Sequence, residues 1–147
     1  MERSRSVPPA AAWLGGLGLI PFAAGAILIA ALDLAWASYA LRSYAAIILS
    51  FMGGIHWGLA IADHGAEARR GPSWARLGWS VLPALIAWIA VLLPPLQGYL
   101  VIALAFAILL VGDLLAVRKG LAPAWYPRLR VPLTTLVLLC LVTAALG

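Results

Sequence analysis

Five long apolar runs, separated by short polar interruptions, divide the chain. They cover residues 10–32, 45–62, 77–93, 98–117 and 131–147. A helix needs roughly 20 apolar residues to cross a bilayer, so each run reads as a span. The expected fold is all-α: a single membrane domain over residues 1–147, built as a polytopic bundle of five transmembrane helices. Asp33 and Arg42 are expected to bracket a short loop, and residues 63–73 form the most loop-like stretch. Pro94-Pro95 stops the third run, and Arg118-Lys119-Gly120 ends the fourth. Pro123 and Pro127 keep the next connection from continuing as helix, and Pro132 falls in the first turn of the fifth. The first run follows Arg3 and Arg5, and Ala35-Trp36-Ala37 loosely imitates a signal-peptidase site. A cleavable apolar core spans only about 7–15 residues, so this run reads as a retained helix. A four-span chain lacking the short fifth helix is the alternative.

Composition narrows the class. Of 147 residues, 65 % are hydrophobic and 10 % charged, and the mean hydropathy is +1.03. Water could not solvate such a chain as a globule, which excludes a soluble enzyme, a disordered chain and a nucleic-acid binder. The 10 Lys and Arg against 5 Asp and Glu are scattered through short loops. Their geography matters more than their sum. Five spans put Arg3, Arg5, Arg69, Arg70, Arg76, Arg118, Lys119, Arg128 and Arg130 on one side and Arg42 alone on the other. By the positive-inside rule the amino terminus is expected in the cytoplasm and the carboxyl terminus outside. Trp13, Trp36, Trp74, Trp79, Trp125 and Tyr126 fall near the expected interfaces as anchors. Cys140 is the only cysteine, so it reads as an inert thiol with no internal disulfide or thiolate metal site. No internal repeat is visible.

The second run carries Ala46, Ser50, Gly54, Gly58 and Ala62 at every fourth position, including a GxxxG step. With Gly53 and Pro83, this stripe is the expected helix-packing surface: an internal seam, or alternatively a self-association seam. Gly15, Gly16 and Gly18 make the first run a candidate partner. Pro83 leaves the Trp79 carbonyl without its helical donor, a break that neighbouring helices or Ser80 can compensate.

Candidate chemistry is sparse. His56 and Asp113 lie inside spans, and no oppositely charged side chain sits within helical reach of Asp113. An unpaired carboxylate in lipid is costly, so Asp113 is expected to turn inward to a protein partner or water. Counted from one membrane side, His56, Asp113, Ser80, Pro83, Thr134 and Thr135 share a level, with Arg128 and Arg130 at its mouth. Such a layer is either a structural clasp or a ligand or proton site. His56 and His64 are too far apart on one helix to clamp a haem, and zinc lacks ligands. No catalytic Ser-His-Asp order, phosphate loop or HExxH exists. No cofactor or metal is predicted. A proton relay through His56 and Asp113 fits the residue types, as does a quinone or lipid headgroup bonded to His56 and the arginines.

Several segments together resemble a known family. They are Leu17-Gly18-Leu19-Ile20-Pro21-Phe22, Ser50-Phe51-Met52-Gly53-Gly54-Ile55-His56-Trp57-Gly58, Ser80-Val81-Leu82-Pro83 with Trp88, the lone Asp113, and Gly120-Leu121-Ala122-Pro123-Ala124-Trp125-Tyr126 through Arg130. The chain is similar to the domain-of-unknown-function 3429 family over nearly its whole length. That resemblance implies a small multi-helix protein of bacterial inner membranes and, in eukaryotes, of mitochondria, with no activity to carry over. The expected function is a non-enzymatic accessory or assembly partner in the bacterial inner membrane. It would work through the bilayer and other membrane proteins or its own copies, without nucleic acid. The alternative is a small transport or ligand-binding bundle using the polar layer.

Overall fold

The computed structural model describes residues 6–32, 34–62 and 71–147. Arg3, Arg5, Asp33, Asp63, His64, Arg69 and Arg70, all used above, lie outside the described residues. Helices run in the order α1 (Pro9–Leu17), α2 (Ile20–Leu32), α3 (Ala35–Ala62), α4 (Trp74–Leu92), α5 (Pro95–Arg118) and α6 (Tyr126–Leu146). Since α1 and α2 together make one apolar stretch, Pro9–Leu32, five helices are long and apolar enough to cross a membrane.

The break between α1 and α2 has a local cause. Pro21 has no N–H, so the Leu17 carbonyl loses its helical donor, and the proline ring crowds that carbonyl. The chain turns through Gly18 and Leu19, and the Tyr44 hydroxyl donates to the Gly18 carbonyl at 3.0 Å. A side chain of α3 thus pins the kink.

Two helix starts differ from expectation. α3 begins at Ala35, not near residue 45, and Arg42 lies within it. The expected loop closed by Arg42 does not form, because its charge is met inside the protein. Arg42 Nη1 donates to the Leu93 carbonyl at 2.8 Å and the Val91 carbonyl at 3.4 Å. These oxygens belong to the last turn of α4 and to its C-cap residue Leu93, where carbonyls lack helical donors and the helix dipole favours a cation. α6 begins at Tyr126, ahead of Pro127, because proline is tolerated in a first turn.

The other ends follow their sequences closely. Ser73 accepts the Arg76 N–H at 3.4 Å to cap α4. Gly120 takes φ +73, and Leu121 N–H reaches back to the Ala116 carbonyl at 2.9 Å. This left-handed cap closes α5 with a glycine where other residues would be strained.

Helix α3 packs against α2, α4 and α5, while α6 packs against α5 and returns to α1 and α2. The larger core lies where α2, α3, α5 and α6 meet, around Phe22, Leu49, Ile102, Phe106 and Leu141. Phe22 meets Tyr44 and Phe106 edge to face, at 5.2 and 6.2 Å between ring centroids. A smaller cluster of Ala116, Ala122 and Tyr126 sits towards the other end. Residues 6–9 border residues 123–125 at the start of α6, whereas Gly147 adjoins Ala30 near the end of α2. The described chain ends therefore lie at opposite ends of the bundle, as an odd number of crossings requires. Trp13, Phe51, Trp88, Leu104 and Leu139 point outwards, leaving an apolar exterior suited to lipid.

Candidate functional site

Three helices contribute one buried polar chain. His56 Nε2 on α3 lies 2.8 Å from Asp113 Oδ1 on α5, and Arg130 Nε on α6 lies 2.6 Å from Asp113 Oδ2. Their side chains are 9 %, 3 % and 7 % exposed, respectively. Both carboxylate oxygens are therefore engaged, which answers the cost of placing Asp113 inside an apolar bundle. A carboxylate only accepts, so Nε2 carries the shared proton and Nδ1 is the ring nitrogen left for another partner.

Close backbone approach positions this chain. A Cβ at Gly53 would stand 2.5 Å from the Ser80 carbonyl and 3.2 Å from the Pro83 ring, so glycine lets α3 seat against α4. A Cβ at Gly112 would stand 2.7 Å from the Trp79 ring. Trp79 thus lies across α5 beside Asp113 and meets the His56 ring edge on, with centroids 6.4 Å apart.

A groove of about 500 Å³ opens beside His56. Its walls are mainly apolar, including Leu59, Trp79, Ile108, Val111 and Leu115, and it also borders Arg76 and Lys119. Its size falls in the range of small-molecule sites, roughly 300–1,000 Å³. An apolar wall, one imidazole and two cations suit an amphiphile better than a water-soluble substrate. Among the described residues, no three His, Cys, Asp or Glu side chains gather for a metal ion.

Behind the chain, α6 presents three further polar atoms. The Tyr126 hydroxyl, Arg130 Nη2 and the Thr134 hydroxyl are buried without a hydrogen-bond partner among the described residues. They recur at every fourth residue and so share one helix face. A buried polar group left unmet costs about 1–3 kcal/mol, so three on one face call for an explanation.

The expected polar layer is therefore only partly joined. His56, Asp113 and Arg130 form the chain, but Arg130 is internal instead of standing at the mouth. Arg128 is exposed. Ser80 is buried, but its hydroxyl donates to the Leu77 carbonyl at 2.6 Å and does not serve the Trp79 carbonyl freed by Pro83. Thr134 is buried, whereas Thr135 is exposed and bonds the Val131 carbonyl at 2.9 Å.

The expected small-residue seam is displaced. Gly53 makes the contact with α4, while a Cβ at Gly54 or Gly58 would meet nothing within 4 Å. Ser50 bonds back to the Ala46 carbonyl at 2.8 Å. The neighbouring glycine, one helical step round, carries the internal packing because α4 approaches that side of α3.

Two contributors were read from the sequence only as interface anchors. Tyr126 is legible in retrospect, since residues 126, 130 and 134 repeat at helical spacing. Trp79 carries no local signal, because its role comes from Gly112 on another helix.

A sequence-family profile described as "Protein of unknown function (DUF3429)" matches residues 7–146. The chain is also 33 % identical over 142 residues to Transmembrane protein 69 of Xenopus tropicalis. That alignment covers 94 % of this chain but 54 % of the relative, so the chain spans about half the length of the protein it matches. No solved structure matches.

Proposed function

Since the chain belongs to the DUF3429 family of multi-pass membrane proteins, we propose that it is a small membrane-embedded binding protein for an amphiphile. The headgroup, from a lipid or a quinone, meets His56 while the hydrophobic tail lies along the groove between α4 and α5. The observation that carries this reading is the single imidazole shared by two environments. Its Nε2 is held by a carboxylate that is itself held by Arg130, and the same ring lines an apolar groove. Asp113 and Arg130 are positioning residues that keep His56 in one tautomer and orientation. Arg76 and Lys119 bring positive charge to the groove, favouring an anionic or oxygen-rich headgroup.

Native mass spectrometry of the purified chain with anionic phospholipid, zwitterionic phospholipid and quinone tests this directly. Retention of an anionic lipid or quinone is expected to fall about tenfold in His56→Ala, the scale of one lost hydrogen bond. Equal retention in the parent, His56→Ala and Asp113→Asn would overturn it.

A second reading, an accessory or assembly subunit of a membrane complex, draws support from the Gly54 and Gly58 positions, where an added Cβ would meet nothing within 4 Å among the described residues. Gentle solubilisation and fractionation are expected to retain a co-migrating membrane protein if this face docks one. A lone, monodisperse monomer would count against it. The distribution of cations supports an amino terminus on the cytoplasmic side, and placement in a bacterial inner membrane rests on the family resemblance alone.

A further inference from the structure

We propose that the face of α6 formed by Tyr126, Arg130 and Thr134 is a one-sided proton-access path. It takes up bound water and keeps the buried Asp113–Arg130 pair in exchange with the aqueous phase at the Tyr126 end of the bundle. The three atoms without protein partners are a guanidinium nitrogen and two hydroxyls, and their residues are 6 %, 9 % and 1 % exposed. Water suits this set, since it accepts from the guanidinium and both accepts from and donates to the hydroxyls.

Other occupants fit less well. A metal cation would face Arg130, and a free anion would face Asp113, whose charge already engages the Arg130 Nε. The ionisable groups around the carboxylate are His56 from α3 and Arg130 with Tyr126 from α6. Arg76 from α4, which donates to the Leu59 carbonyl at 3.3 Å, and Lys119 beyond the end of α5 line the groove, and α2 contains no ionisable residue.

The path has a closed end. Beyond Thr134, the buried α6 residues are Val137, Leu141 and Ala144, and Leu109 and Phe106 of α5 belong to the same core cluster. None of these five side chains is polar, so none can carry a proton onwards. The opposite end of the polar face begins at Tyr126, the first residue of α6. Asp113 is thus reachable from one membrane side and sealed from the other, which suits local proton exchange and not conduction across the bilayer.

The test needs no groove ligand, so its failure is separable from failure of the binding reading. The full chain is placed in nanodiscs with ¹⁵N-labelled arginine, and the Arg130 Nε–H resonance is assigned by its loss in Arg130→Lys. Its exchange rate with water is then read by NMR. Tyr126→Phe and Thr134→Val remove only the hydroxyl or replace it with a methyl group, and an unshifted Arg130 resonance verifies the fold. Exchange is expected to slow about tenfold in at least one of them, as expelling one bridging water would require. Val137→Ala, at the closed end, is expected to leave the rate unchanged. If both hydroxyl variants stay within about threefold of the parent, less than the loss of one such bridge, the path is overturned. Faster exchange in Val137→Ala would overturn its one-sidedness.

Discussion

The bundle buries an arginine towards each end, and the two serve different chemistry. Arg42 and Arg130 are similarly hidden, at 7 % and 6 % exposure. Arg42 spends its guanidinium on backbone, holding the last carbonyls of α4. Nothing in that contact can gain or lose a proton, so it acts as a clasp between α3 and α4. Arg130 instead holds a carboxylate that also holds an imidazole beside a groove. Burial of a charge therefore does not by itself mark a site. The partner decides, because a peptide carbonyl has one state whereas Asp113 and His56 each have two.

The largest effect is expected from separating the Arg130 pair. Asp113→Ala leaves a buried guanidinium uncompensated and should lower stability in detergent by about 3–5 kcal/mol, measurable by thermal or denaturant unfolding. The paired Asp113→Leu/Arg130→Leu variant should recover most of that loss. If it also retained ligand, the Asp113–Arg130 pair would be no more than a second clasp, and the contrast with Arg42 would collapse.

At the other end, Arg42→Met should cost about 1–3 kcal/mol, because the carbonyls at the end of α4 lose their donor. Retention of groove ligand should not change. A loss of binding as large as that in His56→Ala would show that the two ends are coupled.

Gly53→Ala should destabilise the α3–α4 seam by about 1–3 kcal/mol, since its methyl group would press on the Ser80 carbonyl. Gly54→Ala, one residue along, should stay within about 0.5 kcal/mol in the monomer because it meets open space. Equal losses in the two would place the seam on the wrong face. His56→Gln is expected to cost about 1 kcal/mol or less in stability, with its consequence appearing in ligand retention.

Much of this architecture was legible in one dimension. Apolar runs long enough to cross a bilayer must satisfy their backbone within each helix, so helical spans follow without knowledge of their neighbours. The same reasoning turned Asp113 inwards, because lipid offers a carboxylate no partner. Pro94-Pro95 and Gly120 punctuate the helices through their own backbone limits. Arg42 was misread as a loop residue because its partners, the Val91 and Leu93 carbonyls, lie on a helix formed much later in the chain.

The sequence alone determined the class, the number of spans and the need for an internal partner at Asp113, since each follows from hydropathy or from the cost of charge in an apolar medium. Only the tertiary structure decided which partner that would be, which glycine would meet α4, and that Trp79 would stand against His56. Those outcomes depend on the rotation of one helix about its axis relative to another. A shift of one residue turns a helix face by about 100 degrees, enough to replace Gly54 with Gly53 at the contact.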